Sequence, residues 1–100
     1  MRASLNGNVI AEAPDEDLIK IEGNWYFPPS SIVEGALAES PTPYTCPWKG
    51  VCQYFDVSVG GEVAKDHAWS YPNPYDGAAE RVGKEFANYV AFDPRVTVGA

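Results

Sequence analysis

Residues 50–71 read GVCQYFDVSVGGEVAKDHAWSY, two alternating runs joined at Gly60-Gly61. Apolar and polar residues in strict alternation have the period of a half-buried strand, and Gly-Gly accepts the positive φ angles that a two-residue hairpin turn needs. The stretch therefore predicts an antiparallel hairpin, Val51 to Val59 against Glu62 to Tyr71. With a two-residue turn, position 59 faces position 62. The pairing then runs Asp56 opposite Lys65, Tyr54 opposite His67, Cys52 opposite Trp69 and Gly50 opposite Tyr71, all on one face. The other face carries Val51, Gln53, Phe55, Val57 and Val59 against Ala64, Asp66 and Ala68; it is the more apolar and is expected to meet the core. A slip of one residue would exchange the two sets.

The same grammar extends in both directions. Asn6-Gly7 is a type I′ turn dipeptide and predicts a hairpin of Arg2 to Leu5 with Asn8 to Glu12. Leu18, Ile19 and Ile21 form the next strand, which Glu22-Gly23-Asn24 turns into Trp25-Tyr26-Phe27 and Pro28-Pro29 ends. A short helix over Ile32 to Ala38, capped by Ser30 or Ser31, is expected next, then a loop from Glu39 to Gly50 containing three prolines. Ala78 to Gly83 reads as a short helix capped by Asp76, and Phe86 to Phe92 and Val96 to Val98 as strands about an Asp93-Pro94 turn. The whole is a mainly β chain of antiparallel sheets with one or two short helices, a single domain over residues 1–100, without internal repeats.

Composition sets further bounds. A chain of 100 residues that is 45% hydrophobic and 21% charged suits one soluble domain with one core. Its formal charge of −7 and pI near 4.4 argue against binding long nucleic acid, which needs a basic face to release condensed counterions. The opening residues lack the apolar run of a signal peptide, and no segment approaches the roughly 20 apolar residues of a membrane span, so no membrane partner and a cytoplasmic location are expected. In that compartment Cys46 and Cys52 are expected to be free thiols.

Chemistry-bearing side chains gather in Tyr44-Thr45-Cys46-Pro47-Trp48-Lys49-Gly50 and in His67-Ala68-Trp69-Ser70-Tyr71-Pro72, which ought to return beside it. A cleft walled by Tyr26, Trp48, Trp69 and Tyr71, with Lys49 and His67 at its polar end, would suit a small planar or nucleotide-like ligand, because rings stack and cations orient. The same rings would equally serve as the anchors of an ordinary core. Lys49 is a candidate cation for a phosphate or carboxylate, with Gly50 permitting close backbone approach, or else a solvated lysine. His67, the sole histidine, is the first candidate for a general acid or base, or else a hydrogen-bonded neighbour of Tyr54. Cys46 and Cys52 have five residues between them and no second cysteine pair, so structural zinc is not expected, nor is any other cofactor. Cys46 with His67 is a candidate nucleophile and base; buried inert thiols are the default.

The blocks Glu22-Gly23-Asn24-Trp25-Tyr26-Phe27-Pro28, Cys46-Pro47-Trp48-Lys49-Gly50, Ala68-Trp69-Ser70-Tyr71-Pro72 and Tyr89-Val90-Ala91-Phe92, in that order, resemble the domain of unknown function 427 family over nearly the whole chain. The resemblance implies a small, mainly antiparallel architecture of the β-tent, or Mss4-like, type, in which two sheets lean together. Related β-tent proteins often hold zinc by two cysteine pairs, which this chain lacks. Trp25 and Ser70 stand where many relatives are expected to carry His and Tyr. The family also carries a nucleotidyltransferase label. That chemistry normally uses clustered carboxylates to hold two magnesium ions, and the acidic cluster here, Asp15-Glu16-Asp17, reads as a solvated turn. Three functions stay open: a binding domain with an aromatic cleft, an enzyme using Lys49, His67 or Cys46, and a protein interaction module.

Overall fold

The computed structural model describes residues 1–99; Ala100, the last residue of the expected domain, lies outside the described residues. Strands β1 (Arg2–Leu5) and β2 (Asn8–Glu12) form the expected hairpin, with Asn6 and Gly7 at φ of 51° and 81°. The next hairpin pairs β3 (Ile19–Ile21) with β4 (Asn24–Tyr26) around Glu22 and Gly23, again both at positive φ. Then come β5 (Leu37–Cys46), β6 (Gly50–Val59) and β7 (Glu62–Ser70), the short helix α1 (Ala78–Val82), β8 (Val90–Phe92) and β9 (Thr97–Gly99). Among the described residues these strands make three antiparallel sheets, ordered β2-β1-β9, β3-β4 and β5-β6-β7-β8. Phe27 and Val90 exchange backbone hydrogen bonds of 2.8 and 2.9 Å, which tie the β3-β4 hairpin to the free edge of β8. The mainly β fold is as the sequence predicts, with three sheets in place of two.

The central hairpin begins in the predicted register, with Val59 facing Glu62, Ser58 facing Val63 and Val57 facing Ala64. It then slips by two residues. Beyond the slip Phe55 faces Ala68, Tyr54 faces Trp69 and Gln53 faces Ser70, so the expected pairs of Tyr54 with His67 and Cys52 with Trp69 do not form. Lys65, Asp66 and His67 bulge opposite Asp56; Asp66 takes a φ of 57°, and its N–H bonds the Asp56 carboxylate at 3.0 Å instead of a ladder carbonyl. Thr42 on β5 reaches across β6 to donate to the Asp66 carboxylate at 2.7 Å, which fixes the bulge. Because side chains alternate with a period of two, a slip of two leaves the paired residues on their predicted faces, and only Lys65, Asp66 and His67 in the bulge fall outside the alternation.

Four local expectations are corrected. The chain from Ile32 to Ala38 is not helical: Ser31 closes a short 3-10 turn over Pro29–Ser31, Gly35 stands at φ 80°, and the Val33 N–H bonds the Ile10 carbonyl at 2.8 Å. The open edge of β2 outcompetes a one-turn helix that has no packing partner of its own. Residues 39–46 are not loop but the far part of β5, an edge strand whose outer side needs no N–H donors, with Pro41 and Pro43 at its bulge. Asp76 does not cap α1; Gly77 does the job at φ 87°, without a side-chain bond. The expected strand from Phe86 shortens to β8, since a turn closes from Tyr89 N–H to Phe86 C=O.

The four-stranded sheet is covered on both faces. Val57 and Ala68, with Phe55, Val59 and Ala64 at the margin, pack against Ala3, Ile10, Phe27, Phe92 and Val96 in the predicted core. At the other end of the same face Val51 is 61% exposed. The opposite face, expected to be the less buried one, carries Cys52, Tyr54, Trp69 and Tyr71 into a second cluster with Ile19, Ile21, Tyr26 and Phe86.

Candidate functional site

The second cluster is not closed. It opens as a cleft of about 230 Å³ lined by Asn24, Tyr26, Tyr44, Lys49, Cys52, Tyr54, Trp69 and Tyr71. Each lining residue is placed by strand alternation. Tyr26 leaves β4 on the side opposite Trp25; Tyr44 pairs with Cys52 across β5 and β6, and Tyr54 with Trp69 across β6 and β7. Tyr54 and Trp69 meet edge to face at 6.4 Å, and Tyr71 leans on Phe86 at the same distance. The Trp69 indole N–H donates to the Tyr26 hydroxyl at 3.1 Å, bridging the β3-β4 hairpin to the four-stranded sheet.

Lys49 lies at the turn between β5 and β6. Its neighbour Gly50 has φ 127°, and a β-carbon there would come within 3.1 Å of the Asn73 carbonyl. The close approach that glycine permits is thus made by the chain itself, whose Tyr75 N–H bonds the Lys49 carbonyl at 3.0 Å. The Lys49 side chain is 7% exposed; it lies 5.1 Å from the Trp48 ring centre and 5.2 Å from that of Tyr71, and its ammonium pairs with the Glu22 carboxylate, itself 56% exposed. Burial alone would lower the lysine's pKa, but the Glu22 hydrogen bond and the surrounding negative groups hold it above its ordinary value. The same hydrogen bond holds Glu22 below the ordinary carboxylate range. Burial raises Tyr26, Tyr54 and Tyr71 and pushes the Cys52 thiol up to about 11. At neutral pH the cleft therefore offers aromatic faces, un-ionised hydroxyl and thiol groups, one amide, and a single ammonium already matched by a carboxylate.

The predicted site residues divide. Tyr26, Lys49, Trp69 and Tyr71 come together in the cleft lining. Trp48 stands behind Lys49, with the Arg81 guanidinium 4.4 Å from its ring centre, and lines an adjoining depression with Tyr75 and α1. His67 sits in the β7 bulge outside the lining, its Nδ1 2.8 Å from the Lys65 carbonyl. Cys46 is buried, and its sulfur accepts the Lys49 backbone N–H at 3.5 Å. Asp15-Glu16-Asp17 form a 3-10 turn in which Asp15 pairs with the Met1 amine at 2.9 Å. No group of three His, Cys, Asp or Glu side chains comes together as a metal site among the described residues. Among those residues no helix is long and apolar enough to cross a membrane.

Four lining residues were not proposed from sequence as site residues: Asn24, Tyr44, Cys52 and Tyr54. Cys52 and Tyr54 were legible, since both share the Trp69 face in any register that preserves parity. Tyr44 opens one of the two chemistry-bearing motifs, but its pairing with Cys52 was not legible because the prolines before it read as loop; Asn24 reads from sequence as turn and is the first residue of β4.

Across residues 1–99 the chain matches the family model described as a domain of unknown function (DUF427). No curated protein matches it.

Proposed function

The chain belongs to the DUF427 family, and from that premise and the cleft's chemistry we propose that the domain binds a small planar ligand, of nucleobase size, in the cleft of Tyr26, Tyr54, Trp69 and Tyr71. The observation that carries this reading is the convergence of four phenols and one indole on an open cavity rather than on a sealed core. At about 230 Å³ the cavity falls below the range of roughly 300–1,000 Å³ typical of drug-sized ligands, so one flat ring system with a short polar substituent is what it holds. Hydroxyl groups in the lining supply donors and acceptors, and the rings supply stacking surface. A binding role is favoured over nucleotidyl transfer because the cleft lining contains no carboxylate. It is favoured over a Cys46 and His67 mechanism because the two residues have different neighbours, and neither lines the cleft.

Titrating intrinsic tryptophan fluorescence with nucleobases, nucleosides and nucleotides, with and without magnesium, tests this. Saturable quenching by the bases, lost in Trp69→Phe and kept in Trp25→Phe, is the expected result. Flat titrations of a folded protein would return these rings to a structural role. Quenching that required both triphosphate and magnesium would favour the transferase.

A further inference from the structure

The only ammonium in the cleft lining is not free. Lys49 is held between the rings of Trp48 and Tyr71 and paired with Glu22, which comes from the tip of the β3-β4 hairpin two residues before Asn24, itself a lining residue. Glu22 and Gly23 occupy the two positive-φ positions of that turn, which fixes where the Glu22 side chain leaves the backbone; its carboxylate is held by the pair with Lys49. Resting on the binding reading above, we propose that Glu22 is the cleft's specificity-determining residue: as the built-in counter-anion of Lys49 it restricts the cleft to uncharged flat ligands.

The physical case has three parts. An anionic ligand entering the cleft must leave its hydration shell, and the one cation in the cleft lining is already compensated. To reach Lys49, the ligand must displace a carboxylate tethered to the same molecule, whose effective concentration is of millimolar order or above. A ligand anion at lower concentration does not win that exchange, and Glu22 left in place repels it. A neutral ring with an amide or carbonyl leaves the pair undisturbed and bonds to the phenols and Asn24. The exposed half of Glu22 faces water, so closing the Lys49 site in this way needs no second buried charge.

The test is a matched pair of probes of nearly equal shape, benzamide and benzoate, titrated against the intact chain with tryptophan fluorescence or amide chemical shifts as the signal. Wild-type protein is expected to bind benzamide at least about tenfold more tightly than benzoate, the scale of one unpaired charge-assisted contact. In Glu22→Gln, Lys49 becomes an unmatched cation and the order is expected to reverse. Net charge changes only from −7 to −6 in this variant, so a reversal would not come from long-range repulsion. Equal or tighter binding of benzoate by the wild type, or an unchanged ratio in Glu22→Gln, would overturn the role given to Glu22 while leaving the cleft as a binding site. Failure of both probes to bind a folded wild type would overturn the cleft reading and this inference with it. Should Glu22→Gln not fold, Glu22→Asp keeps the charge one methylene short of Lys49: a narrowed ratio supports the proposal and an unchanged one overturns it.

Discussion

The two faces of the four-stranded sheet bury similar numbers of side chains to different ends. On one face Val57 and Ala68 meet Ile10, Phe27 and Phe92, carbon against carbon, with Phe27 fully buried and edge to face with Phe92 at 5.6 Å. On the other face the buried Tyr26, Cys52 and Tyr71 join Ile19, Ile21 and Phe86, with Trp69 and Lys49 beside them, and the cluster opens to solvent. A domain of 100 residues has little area to spare. The second face sets hydroxyls, a thiol and an ammonium at a concave surface, whereas the buried members of the first are apolar throughout.

The largest effect that separates the faces should come from Phe27→Ala. A fully buried phenylalanine truncated in a sealed core is expected to destabilise by about 3–5 kcal/mol in denaturant unfolding. A loss below about 1 kcal/mol would mean that the apolar face is not the main store of stability. Next is the thiol of the open face. With Cys52 pushed from 9.0 to about 11, its thiolate fraction at pH 8 is about 100-fold below that of an ordinary thiol, and alkylation should slow correspondingly. Rapid labelling of Cys52 in the folded protein, read by mass spectrometry, would contradict the burial that the structure gives it.

Smaller still is the ion pair. Glu22→Gln strands a buried ammonium and is expected to destabilise by about 1–2 kcal/mol, below the 3–5 typical of fully buried pairs because the carboxylate is half in water. Lys49→Gln should be the milder variant, since the carboxylate it frees is already solvated. The pH profile carries the signature. Glu22 lies below its ordinary 4.5, so its contribution is present above that value and lost as pH falls through the folded pKa. Lys49 lies above its ordinary 10.5, so its contribution is present below that value and lost as pH rises through the folded pKa. The gap in stability between wild type and Glu22→Gln should therefore be widest between roughly pH 5 and pH 10 and close on either side. Smallest is Tyr26→Phe, expected to destabilise by about 1 kcal/mol or less, because the Trp69 N–H it deprives sits in an open cleft where water replaces the hydroxyl.

The same contrast explains what could be read from the sequence. The turns at Asn6-Gly7 and Gly60-Gly61 were legible, because those residues accept the positive φ angles that their hairpins need; the turn at Glu22-Gly23 was legible in place but one residue too long, since Asn24 pairs with Ile21 in β4. So was the partition of the central hairpin into two faces. Its register was not, because the slip at Asp66 depends on Thr42, 24 positions earlier in the chain, and no local pattern encodes that bond. The prolines of β5 hid a strand for a related reason: whether proline is tolerated depends on which edge of a sheet the strand occupies. In the cleft, the aromatic members were legible as unusual residues in two compact motifs. The counter-ion was not. Glu22 lies 27 positions before Lys49, in a turn that sequence reads only as a turn.

The most direct test is an amide and indole NMR titration of the ¹⁵N-labelled protein with adenine. Saturable shifts at the Trp69 indole and at the Asn24, Lys49 and Tyr54 amides, with Ala3, Ile10 and Val57 unmoved, are the expected result. Shifts confined to the apolar face, or none in either cluster, would contradict the division of labour between the two faces.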